Sequence, residues 1–360
     1  RNIVIFKRKI YDKILDWKLK SRGHSALLIE GARRVGKSTV AEEFARNEYR
    51  SYILIDFSRA GTRLKNIFKN HLTDLDDFYQ LLQAQTDTTL YKRDSLVIFD
   101  EIQRFPRARE AIKTLVADGR YDFIETGSLI SIRENVENIL IPSEEHSVRM
   151  NPMDFEEFAA ACGKEPLLNY IKECFVKKLE VEQGVHHMAM LLFKQYMIVG
   201  GMPQSVSAYL EGSKSFYEAD IAKREILSLY RKDIWKASLR YRTKILQIYD
   251  GIPGYLSRHD KKVTTGDIDK GQKTNGLADA FFWLSDSMIA NECFACNDPS
   301  VGLSLNEDRT SVKCYMGDTG LLLSHTFSEQ EIEKGELYKK LLNDRLSINK
   351  GMFFENIVAQ

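Results

Sequence analysis

Eight residues, Gly31-Ala-Arg-Arg-Val-Gly-Lys-Ser38, have the types and spacing to close around a polyphosphate. They fit G-x-x-x-x-G-K-[ST], in which Gly31 and Gly36 let backbone amides approach the anion with no Cβ in the way. Arg33, Arg34, Val35 and Thr39 complete the cradle. Lys37 places a point charge on the β- and γ-phosphates, and the Ser38 hydroxyl becomes a Mg²⁺ ligand. The ligands expected are therefore ATP and Mg²⁺.

A second constellation lies 63 residues after Lys37, where the apolar run Ser95-Leu-Val-Ile-Phe ends in Asp100 and Glu101. A buried parallel strand with function at its C-terminal end has this pattern. Asp100 would hold Mg²⁺ through water, and Glu101 would orient and deprotonate an attacking water. Lys37 and Glu101 are the expected catalytic residues, since phosphoryl transfer to water depends mostly on positioning and charge. A third run, Tyr121-Asp-Phe-Ile-Glu-Thr126-Gly-Ser128, ends in hydroxyls. Thr126 and Ser128 could sense a γ-phosphate, or could belong to a turn that closes a strand. No arginine finger is identifiable. Arg33, Arg34, Arg133 and Arg149 are the candidates, and a surface role is favoured for each.

These groups need elements to hold them. Five strands are expected at 25–30, 52–57, 95–100, 121–126 and 147–151, with helices between the first four. The phosphate loop would join the first strand to a helix over Ser38–Asn47, whose positive dipole end faces the anion. Other helices are expected over Arg8–Lys20, Asp74–Gln85 after a Thr73 cap, and Ala108–Ala117 after Pro106. Alternating strands and helices imply an α/β fold with a parallel sheet. The Tyr121 strand would be an additional strand between the phosphate-loop strand and the Asp100 strand. That order is the AAA-like, catalytic-glutamate form of the P-loop NTPase sheet.

The expected organisation is an ATPase domain over 1–150 that includes the N-terminal helix, then a helical lid region over 151–235. A winged-helix-like domain over 236–327 and a linker with the start of a truncated nuclease-like domain over 328–360 would follow. Within the third part, helices at 243–256, 265–270 and about 273–285 precede strands at 290–296 and 311–317. Three helices before a β-ribbon form a winged-helix pattern.

Composition excludes several classes. No apolar stretch reaches the length of a membrane span, and the N-terminus has no signal-peptide core. No membrane partner is expected, and the location expected is cytoplasmic. An odd count of 5 cysteines argues for reduced thiols. Cys293 and Cys296 fall in an expected strand, where they read as small buried apolar residues rather than zinc ligands. His186 and His187 do not face the same way on a helix and suggest no metal site. Net charge is +1, yet residues 223–273 hold 13 Lys/Arg against 6 Asp/Glu and residues 1–22 hold 8 against 2. Such stretches read as solvated faces or as a nucleic-acid footprint. The weak base-reading set of the helix from Lys273 leaves a protein-packing role open.

Together these residues resemble a family of prokaryotic AAA-type ATPases with a C-terminal domain of unknown function 4143. The points of contact are GARRVGKS at 31–38, FDEIQRFP at 99–106, TGSLI at 126–130, PMDFEEF at 152–158, GGMP at 200–203, YRKDI at 230–234, DTGLL at 318–322 and FFEN at 353–356. The resemblance implies ATP binding, hydrolysis, a helical lid and a winged helix. Self-association through the ATPase domain is a separate expectation. Asp233 and Asp318 match family motifs and read as turn or cap residues. Members commonly continue into a nuclease-like fold after the segment that matches FFEN. The expectation is that the native protein continues beyond Gln360 into a separate α/β domain, and that the last ten residues pack poorly or borrow a neighbour's surface. The leading function is an ATPase acting as a switch or motor, with possible nucleic-acid association. A small-metabolite kinase and a non-hydrolysing, nucleotide-gated scaffold are the competing readings.

Overall fold

Five short apolar runs become five parallel strands. They are β1 (Ala26–Glu30), β2 (Ser51–Asp56), β3 (Ser95–Asp100), β4 (Asp122–Gly127) and β5 (Glu145–Arg149). The spatial order is β2-β3-β4-β1-β5, so β4 does lie between the phosphate-loop strand and the Asp100 strand. Register places Asp100 beside Asp56, Phe99 beside Glu125, and Ile29 beside Thr126. The computed structural model describes residues 4–128, 145–263, 277–296, 306–327, 336–343 and 350–360, together with 298, 300 and 302. Arg133 and the expected helix at 265–270, with Lys273 and Asn275, lie outside the described residues.

The chain divides into two units, Arg1–Met150 and Asn151–Gln360. In the first, helices α1 (Ile10–Ser21), α2 (Lys37–Glu48), α3 (Thr62–Asn70), α4 (Leu75–Thr86) and α5 (Pro106–Asp118) surround the sheet. Asp74 rather than Thr73 caps α4, its carboxylate accepting from the amides of Asp76 and Asp77 at 3.0 and 3.2 Å. An ionised carboxylate is a stronger acceptor for those amides than a hydroxyl. One face of the sheet carries an aromatic cluster in which Phe57 stacks on Phe105 at 5.4 Å and Phe68 meets Phe57, Phe78 and Phe99 edge-on. Each such side chain contributes roughly 1.5–3 kcal/mol when buried. Phe105 follows Glu101 by four residues, so this cluster anchors the turn that carries the second acid.

The second unit begins with α6 (Phe155–Ala161), α7 (Glu165–Lys177), α8 (Gln183–Val199), α9 (Pro203–Glu211), α10 (Phe216–Ile234) and α11 (Leu239–Ser257). Asp154 and Glu157 form a reciprocal capping box at the start of α6. Helix α12 (Leu277–Asp286) then precedes the antiparallel ribbon of β6 (Ala290–Cys296) and β7 (Glu307–Met316), and α13 (Thr319–Thr326) and α14 (Glu336–Leu342) follow. Cys293 is exposed and Cys296 half-buried, contrary to the buried reading. A two-stranded ribbon has an open face, and strand alternation turns Cys293 onto it.

The end of the chain also departs from expectation. Helix α15 (Gly351–Ala359) buries Met352, Phe353 and Asn356 completely. Asn356 accepts from the Met316 amide at 2.8 Å and donates to the Met316 carbonyl and to Thr319 Oγ1 at 3.0 and 2.9 Å. Gln360 accepts from the amide and hydroxyl of Thr319, both at 2.8 Å. The last ten residues are therefore integral to the second unit. Their polar groups complete the backbone hydrogen bonding at the end of β7, which apolar spacing could not reveal. Among the described residues no helix is long and apolar enough to cross a membrane, and no group of three or more His, Cys, Asp or Glu could hold a metal.

Candidate active site

The loop at 31–38 leaves β1 and enters α2 at Lys37. A Cβ at Gly31 would lie 2.4 Å from the carbonyl oxygen of Met150, and Gly36 has φ 99°, so neither position accepts an ordinary side chain without a shift. Arg34 also has positive φ and is exposed; Arg33 and Thr39 are half-buried and Val35 is buried.

Lys37 Nζ donates to the carbonyls of Gly31 and Ala32 at 2.9 and 3.0 Å, folded back on its own loop. Burial lowers its pKa to about 8, opposed by the negative charges of Glu101 and Asp100 and assisted by Arg33. The Ser38 hydroxyl donates to Asp100 Oδ1 at 2.6 Å, and the Thr126 hydroxyl donates to the same oxygen. Residues from α2, β3 and β4 thus meet at one carboxylate oxygen. The parallel register makes this possible, because function gathers at the C-terminal ends of adjacent strands.

Glu101 stands just beyond β3 with φ 53°, a left-handed conformation that is uncommon for a residue with a side chain. Its amide donates to Thr126 Oγ1 at 3.4 Å, and its carboxylate accepts from Gln103 Nε2 at 2.7 Å. A single 3₁₀ turn over Ile102–Arg104 follows, with Ile102 buried and Phe105 in the aromatic cluster. The acid is therefore held on a rigid corner. Ser128 lies half-buried after β4, and Arg149 is exposed at the end of β5, in register with Glu30.

Two contributors were not foreseen. Gln103 is 5% exposed and grips Glu101, and its Oε1 has no partner among the described residues. Its position within FDEIQRFP was the only sequence signal. Arg8 is buried and donates from Nη1 to the Val35 carbonyl at 2.9 Å, which braces the apex of the loop. It was hidden among the basic residues of the N-terminus. On the opposite side of β4 from Thr126, Glu125 is fully buried near the ion pair of Arg109 and Glu145, whose closest approach is 2.9 Å. Burial, then its interaction with Glu145, raises the Glu125 pKa well above the carboxylate range. This cluster lies outside the phosphate-loop site.

Residues 23–159 match the family described as an AAA domain, and residues 190–331 match a domain of unknown function, 8612. The C-terminal match is thus to 8612, where the resemblance had implied 4143. The fold is similar to that of a Walker-type ATPase of Pyrococcus abyssi, with 16% identity, TM-score 0.53, and coverage of 91% of this chain and 97% of that one. Weaker likenesses include the Orc1 protein of Aeropyrum pernix in complex with DNA and Cdc6p of Pyrobaculum aerophilum. Identity to the Orc1 protein is 12%, with TM-score 0.34 and coverage of 93% and 95%. For Cdc6p the identity is 12%, the TM-score 0.36 and the coverage 96% and 97%. No curated protein matches the chain. The parallel sheet and the phosphate loop make the first unit a P-loop NTPase fold, and residues 23–159 carry its match to the AAA domain.

Proposed function

We propose that this chain binds Mg-ATP and hydrolyses it, the cycle serving as a conformational switch or motor. The observation that carries this reading is the convergence of Ser38, Thr126 and Asp100 on one oxygen beside Lys37. Two hard oxygen donors 2.6 Å apart, the Ser38 hydroxyl and the Asp100 carboxylate, suit Mg²⁺. The bound ion would neutralise charge on the β- and γ-phosphates. Lys37 would exchange its two loop carbonyls for phosphate oxygens, and the amides of the loop would hold the rest of the triphosphate.

In the chemical step Glu101 accepts a proton from water as the water oxygen bonds to the γ-phosphorus. The bond to the bridging oxygen breaks, and ADP leaves. Thr126 keeps the two acids in register, through its hydroxyl bond to Asp100 and its contact with the Glu101 amide. Self-association through this unit is part of the proposal.

The test is phosphate release from ATP by the chain and by Glu101→Gln. The amide keeps the shape and loses the base, so turnover is expected to fall on the order of 10²-fold or more while ATP affinity is retained. Parental turnover in the variant would remove Glu101 from the mechanism. ATP binding with no phosphate release by the unaltered chain would favour a nucleotide-gated scaffold instead. ADP formation that needs an added acceptor and releases no free phosphate would favour a kinase.

A further inference from the structure

Between residues 231 and 244 the chain carries six Lys/Arg and one Asp, the densest basic stretch in either unit. The segment runs from the last turn of α10 through a short connection into α11. Ile234, Ala237 and Ile245 are buried and anchor it to the core. The residues between these anchors face outward: Lys232, Trp235, Lys236, Leu239 and Arg240 are all exposed. Trp235 is 55% exposed and Leu239 80%. An indole left this open at a rigid helix junction is unusual, because tryptophan is normally among the most deeply covered side chains.

The indole is fixed rather than loose. The Arg242 guanidinium sits 5.2 Å from its ring centroid, and the same guanidinium donates to the Ala237 carbonyl at 3.0 Å. Arg242 thus ties the ring to the helix connection by a cation–π contact. Nearby positive charge is only partly neutralised. Lys236 pairs with Asp233 at 2.6 Å and Arg231 pairs with Asp250. Lys232 and Arg240 have no carboxylate partner among the described residues. An acceptor here would need regularly spaced negative charge and a flat apolar ring to lie on an exposed indole. A single-stranded polynucleotide offers both. Duplex bases are already stacked on one another and present no free face.

We infer that the α10–α11 junction is a binding surface for a single-stranded polynucleotide, with a base stacked on Trp235 and phosphates held by Lys232, Lys236 and Arg240. Nothing in this surface depends on nucleotide hydrolysis at the first unit, so the two readings fail separately.

The probe is a fluorescent oligo(dT) of about 16 nucleotides, followed by polarisation with the whole chain in the absence of ATP. Binding is expected to quench tryptophan fluorescence and to weaken as salt rises. Trp235→Ala should weaken binding on the order of tenfold, and Trp235→Phe should recover most of the loss, because any aromatic face can stack. Lys232→Ala with Arg240→Ala should reduce the salt slope by about 1.4, two phosphate contacts at the single-strand value. All three substituted positions are exposed, and unchanged thermal melting of the variants would exclude unfolding as the cause. Undiminished affinity in Trp235→Ala would overturn the proposal. So would quenching that persists in Trp235→Phe, or equal competition by polyglutamate, which would mark the surface as one for an acidic protein.

Discussion

Each unit holds a lysine whose pKa burial lowers, and the two have opposite surroundings. Lys37 in the first and Lys223 in the second both have pKa values lowered to about 8 by burial. Lys223 donates to the Ile198 carbonyl at 2.6 Å, with Asp220 and Asp318 close enough to favour its charge. Asp220 accepts from Ser324 and Arg224, and Asp318 accepts from the amides of Gly201 and Leu321. This is a closed network joining GGMP to DTGLL, and α15 extends it through Asn356 and Gln360. The groups around Lys37 are held less completely. Its partners are two carbonyls of the loop itself, and Gln103, which holds Glu101, has an oxygen with no partner among the described residues. A buried charge whose neighbours are satisfied works as a staple, whereas one held by exchangeable partners is poised for a ligand.

The sharpest way to break that comparison is to remove each lysine in turn. Lys37→Ala is expected to abolish Mg-ATP binding by calorimetry and to leave melting close to parental. Lys223→Met should do the reverse, lowering the melting temperature while ATP still binds. It leaves buried Asp318 without the Lys223 charge while Asp220 keeps Arg224, a loss of the class that costs about 3–5 kcal/mol. Equal effects of the two variants on binding would dissolve the distinction.

Gln103→Leu sharpens the same contrast within the active site. Loss of the 2.7 Å bond frees the Glu101 carboxylate, so kcat should drop on the order of tenfold with KM nearly unchanged. A matching rise in KM would instead mean that Gln103 shapes the nucleotide site. On the staple side, Asn356→Ala should cost about 1–3 kcal/mol, read as a lower denaturation midpoint, because it strands the amide and carbonyl of Met316. ATP turnover should not change.

The smallest effect is in pH. A lysine with a folded pKa of about 8 and an ordinary value of 10.5 is neutral in the free protein above about pH 8. Bound phosphates favour its charged form, so binding near pH 8–9 should take up protons and ATP affinity should decline as pH rises through that range. Calorimetry in buffers of different ionisation enthalpy reads the uptake. For stability the sign is opposite: the unfolded chain holds more protons between about pH 8 and 10.5, so each buried lysine adds stability as pH rises through that window.

Much of the first unit was legible because its signals are local. Apolar runs with acids or hydroxyls at their ends marked β3 and β4, glycine spacing marked the phosphate loop, and right-handed crossover placed β4 between β1 and β3. Cap chemistry was less legible, as Asp74 shows, because adjacent residues compete for the same amides. The helical character of residues 151–235 was legible, but the purpose of the second unit's motifs was not. Asp318 did prove to be a helix cap, yet its further bond to Gly201 joins residues more than a hundred positions apart.

The sequence by itself determined the sheet, the phosphate loop and the acids at the strand ends, because each follows from periodicity or from a contiguous backbone requirement. Only the tertiary structure decided which side chains share an oxygen with Asp100, that Gln103 rather than a distant residue grips Glu101, and that the tail helix belongs to the second unit's core. It also separated the basic residues by role: Lys223 is a buried staple, Arg8 braces the loop, and Lys232 and Arg240 stand in water beside Trp235. Charge along a chain records how many cations are present. Burial and hydrogen-bond partners, set by contacts distant in sequence, decide what each cation does.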